Sequence, residues 1–165
     1  MLDIMEFKMK LNEILDTKTE LSIEEDFFDN HFRASTKINN EVYTCNCLLT
    51  FIEKYISLFE DESSKDNYVK FINEAKSKDV WEISFFESTK YSFNLTNIGN
   101  PLSVFSFVKQ ALLEFNKKYK PKYISFTSDL NSRKQLYIKL ISKSIQIKKT
   151  YVFDTGDNEL IIMEI

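Results

Sequence analysis

The side chains that could do chemistry in this 165-residue chain are few and lie far apart in the sequence. His31 is the one histidine, and the two cysteines stand two positions apart as Cys45-Asn46-Cys47. On a strand both sulfurs would point to one face, too close in sequence for an ordinary disulfide. No further Cys and no adjacent His completes a four-ligand zinc site, so we expect no metal and two buried, reduced thiols. Histidine is the residue type whose charge ordinarily changes near neutral pH, but nothing in the sequence places His31 near Gly99, so we expect a structural or surface histidine.

A second set of candidates surrounds the stretch from Trp81 to Tyr137. The pattern predicts a strand, a turn through Gly99, and a helix that begins at Pro101, where a missing N–H group leaves nothing unsatisfied. A strand that turns directly into a helix leaves backbone N–H groups free to face a ligand, and a helix N-terminus attracts phosphate. This stretch therefore favours a ligand that bears phosphate.

Composition excludes several classes of protein. Hydrophobic residues make up 43% of the chain and aromatic residues 15%, so a folded domain is expected rather than a disordered segment. Only two glycines are present, too few for a Rossmann or P-loop fingerprint. The charged N-terminal segment does not resemble a signal peptide, and no apolar run approaches the roughly 20 residues that span a bilayer. These features predict a cytoplasmic protein.

Charge is divided unevenly between the two halves of the chain. Residues 1–88 contain 10 basic and 19 acidic side chains, whereas residues 89–165 contain 12 basic and 6 acidic ones, for a net charge of −3. A basic C-terminal half suits a polyanionic ligand, although a solvated surface gives the same bias. We do not expect nucleic acid to be that ligand. The lysines at 139, 143, 148 and 149 have no exposed aromatic residue near them in the sequence and belong to no recognisable module.

Periodicity predicts one domain over residues 1–165 with an α/β fold. Residues 1–80 would form an N-terminal helix over 2–16, a strand hairpin turning at Asn39-Asn40-Glu41, and a helix capped by Ser63 or Ser64. Residues 81–165 would add one or two strands, a helix from Pro101, a short strand, a helix capped by Ser128 or Asp129, and a closing β-hairpin around Gly156. The result is a mixed, largely antiparallel sheet flanked by helices, with one strand–helix–strand crossover.

This order of elements resembles the GCN5-related N-acetyltransferase (GNAT) fold, and the resemblance is carried by residues 81–165. In that family, a Gly-containing loop and the following helix N-terminus hold the pyrophosphate of coenzyme A. The matching positions here are Thr96, Asn97, Ile98, Gly99 and Asn100, followed by the helix from Pro101. The family's next strand and helix match YISFTSD and the segment from Asn131 to Tyr137, which includes Arg133. The resemblance implies that these residues bind the cofactor.

The resemblance also implies catalytic roles. Tyr137 falls where the family places the acid that protonates the leaving thiolate; a tyrosine that only packs its ring is the alternative. A base would come from Glu82 or Glu87 on the central strand, unless both are simply exposed strand carboxylates. Arg133 would grip a phosphate or form a surface ion pair with Asp129.

Two functional hypotheses follow. Thr96 and Pro101 stand where the family's loop has Arg or Gln and Gly or Ala, and the segments VFSFV, YISFTSD and SRKQLY resemble small bacteriophage proteins. These features favour a degenerate, non-catalytic GNAT-like protein of a bacteriophage, in the host cytoplasm or the virion, that is a virion component or binds a host or viral protein. The alternative is an N-acyltransferase that uses acetyl-coenzyme A or another acyl-coenzyme A to modify an amine. A protein partner is expected, no membrane is, and the oligomeric state is left open.

Overall fold

The computed structural model of the chain describes residues 21–25, 30–38, 40–87, 101–129 and 131–165. The predicted helix over 2–16 and the predicted strand after Thr89 lie outside these residues. The described elements are β1 (Ser22–Glu25), β2 (His31–Ile38), β3 (Glu41–Phe51), a 3₁₀ helix (Ile52–Leu58), α1 (Glu62–Glu74), β4 (Asp79–Glu87), α2 (Pro101–Tyr119), β5 (Tyr123–Ser128), α3 (Asn131–Ser144), β6 (Lys149–Asp154) and β7 (Glu159–Glu164).

The strands form one seven-stranded sheet in the order β1-β2-β3-β4-β5-β7-β6. Every neighbouring pair is antiparallel except β4 and β5, which are parallel and are joined through α2. A parallel pair needs such a crossover, because the chain must return to the same end of the sheet before the second strand begins. The predicted mixed α/β fold with a largely antiparallel sheet is confirmed at this level.

Strict alternation along the strands gives the sheet two buried faces. Trp81, Ile83 and Phe85 of β4 face α2 and α3, and pack with Val108 and Phe115 of α2. The residues of the opposite parity face the 3₁₀ helix and α1, where a second core is formed by Ile52, Tyr55, Tyr68, Phe71, Val80, Tyr123, Leu160 and Ile162. A sheet with two covered faces needs two sets of apolar side chains, which accounts for the aromatic richness of the sequence. Phe51 is the one strongly exposed aromatic side chain among the described residues, at 64%.

The second core is largely aromatic. The Tyr68 ring stacks on Phe59 with centroids 4.9 Å apart and meets Phe153 edge-on at 5.0 Å. Its hydroxyl donates to the backbone carbonyl of Ile52 at 2.5 Å, so the buried phenol is satisfied. This contact ties α1 to the start of the 3₁₀ helix.

The helices differ from the predicted ones in one N-cap and in one residue of a buried stripe. The N-cap of α1 is Asp61, whose carboxylate accepts from the backbone N–H and the hydroxyl of Ser64 at 2.9 and 3.2 Å. The predicted cap, Ser63 or Ser64, was therefore wrong, because an aspartate just before the acidic first turn has the better position to accept from the third helical N–H. For α2 the sequence spacing predicts an apolar stripe of Val104, Phe105, Val108, Leu112 and Phe115. In the structure Phe107 is buried and Phe105 is only half-buried.

Turn residues adopt the backbone angles that their types allow. Asn40 in the β2–β3 turn has φ 67°, and Gly156 between β6 and β7 has φ 107°. Asn tolerates the left-handed region because its side chain can bond locally, and Gly has no Cβ to obstruct it. Helix α2 ends before Pro121, and Lys120 takes φ 46° there. A left-handed residue at this point closes the helix and directs the chain into β5.

Candidate functional site: the cleft between β4 and β5

The parallel strands β4 and β5 separate soon after they meet. Their register consists of Trp81 opposite Ile124 and Glu82 opposite Ser125, although β4 continues to Glu87 and β5 to Ser128. Beyond that point a cleft of about 320 Å³ opens between them. Its walls include Glu82, Ile83 and Ser84 from β4, Phe126 and Thr127 from β5, and Tyr137 from α3.

Helix α3 places Tyr137 at the wall of this cleft. The side chain is 4% exposed, and its ring meets Phe85 and Phe126 edge-on at 5.5 and 5.4 Å. Those two residues belong to the two strands that separate, so the phenol is held between them. Edge-to-face contacts on both sides restrict the ring, and a restricted phenol can present its hydroxyl at a fixed position.

Glu82 reaches the same cleft from the opposite face of the sheet. Its Oε2 accepts from the Tyr55 hydroxyl at 3.0 Å and from Lys54 Nζ at 3.3 Å. The Tyr55 oxygen also lies 2.7 Å from Ser125 Oγ. The Tyr55 phenol has one O–H group to donate. Because that group donates to Glu82, the Tyr55 oxygen accepts a hydrogen bond from the Ser125 hydroxyl. The three side chains form a directed chain, Ser125 to Tyr55 to Glu82, at the point where the strands separate.

Burial changes the pKa of the Tyr55 phenol more than the neighbouring side chains change it. Desolvation raises the pKa of the phenol well above its ordinary value of 10.0, and the negative charge of Glu82 raises it further, while the hydrogen bond from Ser125 opposes the rise. Tyr55 is therefore a neutral hydrogen-bond donor near neutral pH. It can orient the Glu82 carboxylate but cannot itself act as a base.

The structure brings the two predicted catalytic residues, Tyr137 and Glu82, to one cleft from its two sides. Asn131 is the first residue of α3 and Arg133 the third, close in sequence to Asp129 at the cleft rim. Thr96, Asn97, Ile98, Gly99 and Asn100 lie outside the described residues, and Glu87 is the last residue of β4.

The other predicted candidates lie elsewhere in the sheet. The His31 ring bonds the side-chain oxygen of Asn46, on the neighbouring strand. Cys45 and Cys47 are buried and unbridged in the core that faces α2. Burial raises the pKa of the Cys47 thiol well above its ordinary value, and the adjacent Cys45 thiol raises it further, so Cys47 is an inert thiol. Within the described ranges, no three His, Cys, Asp or Glu side chains are grouped as metal ligands would be.

Tyr55, Ser125 and Lys54 were not identified as site residues from the sequence. Tyr55 lies in a segment whose hydrophobic residues show no clear helical or strand periodicity. Ser125 lies in an otherwise apolar strand, where a single serine does not by itself indicate a site. Their meeting depends on the register of β4 against β5, which pairs Glu82 with Ser125. A hydroxyl within an otherwise apolar strand was the one available signal, because a buried hydroxyl needs a partner.

A second, smaller concavity adjoins the cleft. It has a volume of about 210 Å³ and is formed by the β6–β7 turn and the end of β5, with the carboxylates of Asp129, Asp154, Asp157 and Glu159 among its walls. It shares Ser128, Asp129 and Asn158 with the cleft. One of these carboxylates, Glu159, is paired with Lys134 Nζ at 2.6 Å, so the approach to the cleft from this side has an excess of negative charge that Lys134 partly offsets.

No family model matches the sequence, and no curated protein is significantly similar to it. Among the described helices, none is both long enough and apolar enough to cross a membrane.

Proposed function

We propose that the protein is a GNAT-like N-acyltransferase that binds the thioester of an acyl-coenzyme A in the β4–β5 cleft. The observation that carries this proposal is the separation of the two parallel strands after two residue pairs, with Tyr137 at one side of the opening and Glu82 at the other. The element order and the C-terminal pairing of β6 with β7 support the GNAT-like assignment.

The cleft suits an extended ligand that carries amide groups. Where β4 and β5 no longer pair with each other, the backbone groups on their facing edges are available to a ligand lying between them. The pantetheine arm of coenzyme A is such a ligand, because its amides can donate and accept along both edges. The apolar walls supplied by Ile83 and Phe126 would cover its methylene groups.

The side chains at the cleft suit acyl transfer to an amine. The amine nitrogen attacks the thioester carbonyl carbon, the carbon–sulfur bond breaks, and the amine loses one proton. Glu82 is the carboxylate positioned to accept that proton, and Tyr55 and Lys54 orient it. Tyr137 is the phenol that protonates the departing thiolate, and its ring is held by Phe85 and Phe126. The carboxylates of the concavity favour an amine that arrives as an ammonium ion; that ion loses one proton to solvent before the attack, and the proton that Glu82 accepts is the second one.

The test is release of free thiol from acetyl-coenzyme A in the presence of a panel of cationic amines. We expect Tyr137→Phe and Glu82→Gln each to lower the rate about 100-fold or more, the range for loss of a general acid or base. Tyr151→Phe is the matched control, since Tyr151 is a half-buried tyrosine on β6 that does not line the cleft, and its rate should not change. Thermal unfolding of each variant shows that it is folded. Equal rates in Tyr137→Phe and the control would remove Tyr137 from the mechanism.

A second candidate is a non-catalytic binder of a host or viral protein, as the bacteriophage resemblance suggests. The specific observation in its favour is that two donors, from Lys54 and Tyr55, already occupy the Glu82 carboxylate. The aromatic side chains give this candidate no further support, since most of those in the described residues are buried in the two cores. Calorimetry separates the two functions: a binder gives no heat with acetyl-coenzyme A, whereas the enzyme binds it even when the acceptor amine is absent.

A further inference from the structure

The last strand of the sheet, β6, is paired on one side only among the described residues. It pairs with β7 along its whole length, and the strand order ends with it. Just after β6, the N–H of Thr155 donates to the carbonyl of Asn158 at 2.9 Å, so Thr155 directs its main-chain groups towards β7. Because this direction alternates along an antiparallel strand, three residues of β6 direct their N–H and C=O groups away from the sheet. They are Thr150, Val152 and Asp154.

This outer side of β6 is accessible. The side chains of Thr150, Val152 and Asp154 are exposed, Val152 at 48%. Within the described part of the chain, no hydrogen bond outside the β6–β7 ladder uses their main-chain groups. An edge strand with unpaired N–H and C=O groups is a template on which a further strand can pair.

The two edge strands of the sheet differ in how well they resist such pairing. At the opposite edge, β1 has four residues, two of them glutamates, and short length and charge are usual ways to block an edge. In contrast, β6 has six residues, no proline, and the sequence Thr-Tyr-Val-Phe between its charged ends. All four of those residue types favour strands. Of the two edges, β6 is therefore the better suited to accept a strand.

We propose that β6 pairs antiparallel with β6 of a second copy of this chain, about a two-fold axis at Val152. In an antiparallel pair, residues opposite each other direct their main-chain groups the same way, so each outward residue must face another outward residue. An axis at Val152 meets this condition. It places Thr150 opposite the partner's Asp154, and Tyr151 opposite the partner's Phe153.

The side chains of β6 are complementary to themselves in this register. On the face that packs against α1, two Tyr151–Phe153 pairs form at non-hydrogen-bonded positions, where opposite side chains are closest. On the other face, Val152 meets the partner's Val152 on the axis. The Thr150 hydroxyl there faces the partner's Asp154, one oxygen of which accepts from the N–H of its own Gly156, so that the second oxygen can accept from Thr150.

The two ends of β6 carry opposite charge. At its start, Lys148 and Lys149 are exposed, and the Glu164 carboxylate beside them is paired with Lys76. At its end and in the following turn, three carboxylates stand near one lysine, which is paired with the last of them: Asp154, Asp157 and Glu159, with Lys134. The strand therefore runs from a positive end to a negative one.

This distribution of charge favours the antiparallel orientation. Antiparallel pairing places the positive end of each copy beside the negative end of the other, whereas parallel pairing would place like charges together. Lys149 and Asp154 lie on opposite faces of the sheet, so the attraction acts between the ends and not through a direct ion pair. Moving the axis by one residue would set Lys149 against the partner's Phe153, or Asp154 against the partner's Val152.

A two-fold pairing of β6 closes after two copies. Pairing of β6 with β1 of another copy would instead leave an edge open at each end and build a filament. The inference does not depend on acyl transfer, because β5 and β7 separate β6 from the cleft.

The test is sedimentation equilibrium of the full chain over a range of concentrations, where we expect monomer and dimer in equilibrium. Val152→Lys removes an apolar contact and brings two ammonium groups together on the axis, so it should weaken dimerisation about tenfold or more. The matched control is Leu113→Lys, the same change of charge at an exposed apolar position of α2, 43% accessible. Its dimerisation should stay within about twofold of the wild type.

A second variant acts on the main chain. Val152→Pro removes an N–H that points away from β7, so the β6–β7 ladder keeps its hydrogen bonds while the outer side loses a donor. Its thermal unfolding should show a folded protein, and its sedimentation a monomer. A protein that stays monomeric at every concentration, a dimer that survives both changes of Val152, or assembly beyond a dimer would overturn the proposal.

Hydrogen exchange of the unmodified chain tests the same pairing without any substitution. The amide hydrogens of Thr150, Val152 and Asp154 should exchange more slowly as the protein concentration rises. Those of Tyr151 and Phe153, which are directed towards β7, should exchange slowly at every concentration. A dimer in which the first set exchanges as fast as in the monomer would place the interface elsewhere and would also overturn the proposal.

Discussion

The Tyr55 hydroxyl lies 3.0 Å from the Glu82 carboxylate, and this contact joins the 3₁₀ helix to the central parallel strand. The same hydroxyl is 2.7 Å from Ser125 on the neighbouring strand. One side chain thus bridges β4 and β5 at the last place where they pair. The contact holds the carboxylate in position and also holds the two strands together at the base of the cleft.

Removing the Tyr55 bridge should lower the stability of the protein and leave the Glu82 carboxylate less well oriented. Tyr55→Phe leaves the buried Ser125 hydroxyl without its acceptor, so we expect the free energy of unfolding to fall by about 1–3 kcal/mol. Urea denaturation measures the change. Tyr151→Phe, which removes a hydroxyl from a half-buried ring, should stay within about 0.5 kcal/mol of the wild type. A Tyr55→Phe variant as stable as this control would show that the bridge contributes nothing to folding.

The cap of α1 can be tested directly. Asp61→Ala removes the acceptor for the backbone N–H of Ser64, and we expect a loss of about 0.5–2 kcal/mol in the free energy of unfolding. Asp66→Ala, a change of the same kind at an exposed position inside the helix, is the control and should have little effect. Asp61→Asn should recover most of the lost stability, because an amide oxygen also caps. Failure of the amide to do so would mean that charge, rather than the hydrogen bond, is what stabilises the helix start.

Gly156 has two separate reasons to be glycine. Its φ of 107° is unfavourable for any residue with a Cβ, and a Cβ there would lie 2.5 Å from Glu60 Oε2. We expect Gly156→Ala to destabilise the protein by about 1–3 kcal/mol through backbone strain. Introducing Glu60→Ala as well removes the clash and leaves the strain. The double variant should therefore remain less stable than Glu60→Ala alone, and equal stability of those two proteins would assign the whole effect to the clash.

The ion pair between Lys76 and Glu164 should make stability depend on pH in the acid range. The hydrogen bond and charge of Lys76 lower the pKa of the Glu164 carboxyl below its ordinary 4.5, and Lys148 and Lys149 add to this. A lowered pKa in the folded state gives stability that is fully present above about pH 4.5 and is lost as pH falls through the folded value. Glu164→Gln should therefore be less stable than the wild type at neutral pH.

The Lys76–Glu164 ion pair is recognised by how the stability difference between Glu164→Gln and the wild type changes with pH. The urea midpoints of Glu164→Gln and the wild type should converge as the pH is lowered below 4.5, whereas those of Glu74→Gln, at the exposed end of α1, should track the wild type throughout. A difference that stays constant down to acid pH would point to lost packing instead of lost charge.

The sequence predicted strands and helices well where periodicity and turn residues agreed. Alternation placed Trp81, Ile83 and Phe85 on one buried face, and Pro101 marked the start of α2 correctly. These features are local, since each depends on residues within one turn or one strand. The sequence also predicted that Tyr137 and Glu82 belong to one site, but only through resemblance to a family.

What the sequence could not predict depends on register. The Tyr55–Glu82–Ser125 contact is set by which residues face each other across β4 and β5. A shift of one residue in that pairing would move every side chain of the shifted strand to the other face and abolish the contact. No local sequence pattern encodes the register between strands. The register follows from how the side chains pack in the two cores.

The short pairing of β4 with β5 affects how strongly the two halves of the sheet are held together. On one side of it, β1 to β4 are joined by continuous antiparallel ladders, and on the other, β5, β7 and β6 are joined in the same way. Among the described residues, two ladder pairs connect these blocks within the sheet, so the side chains that span the seam on each face contribute much of their cohesion. We therefore expect the seam to resist a separating force mainly through those aromatic and aliphatic contacts.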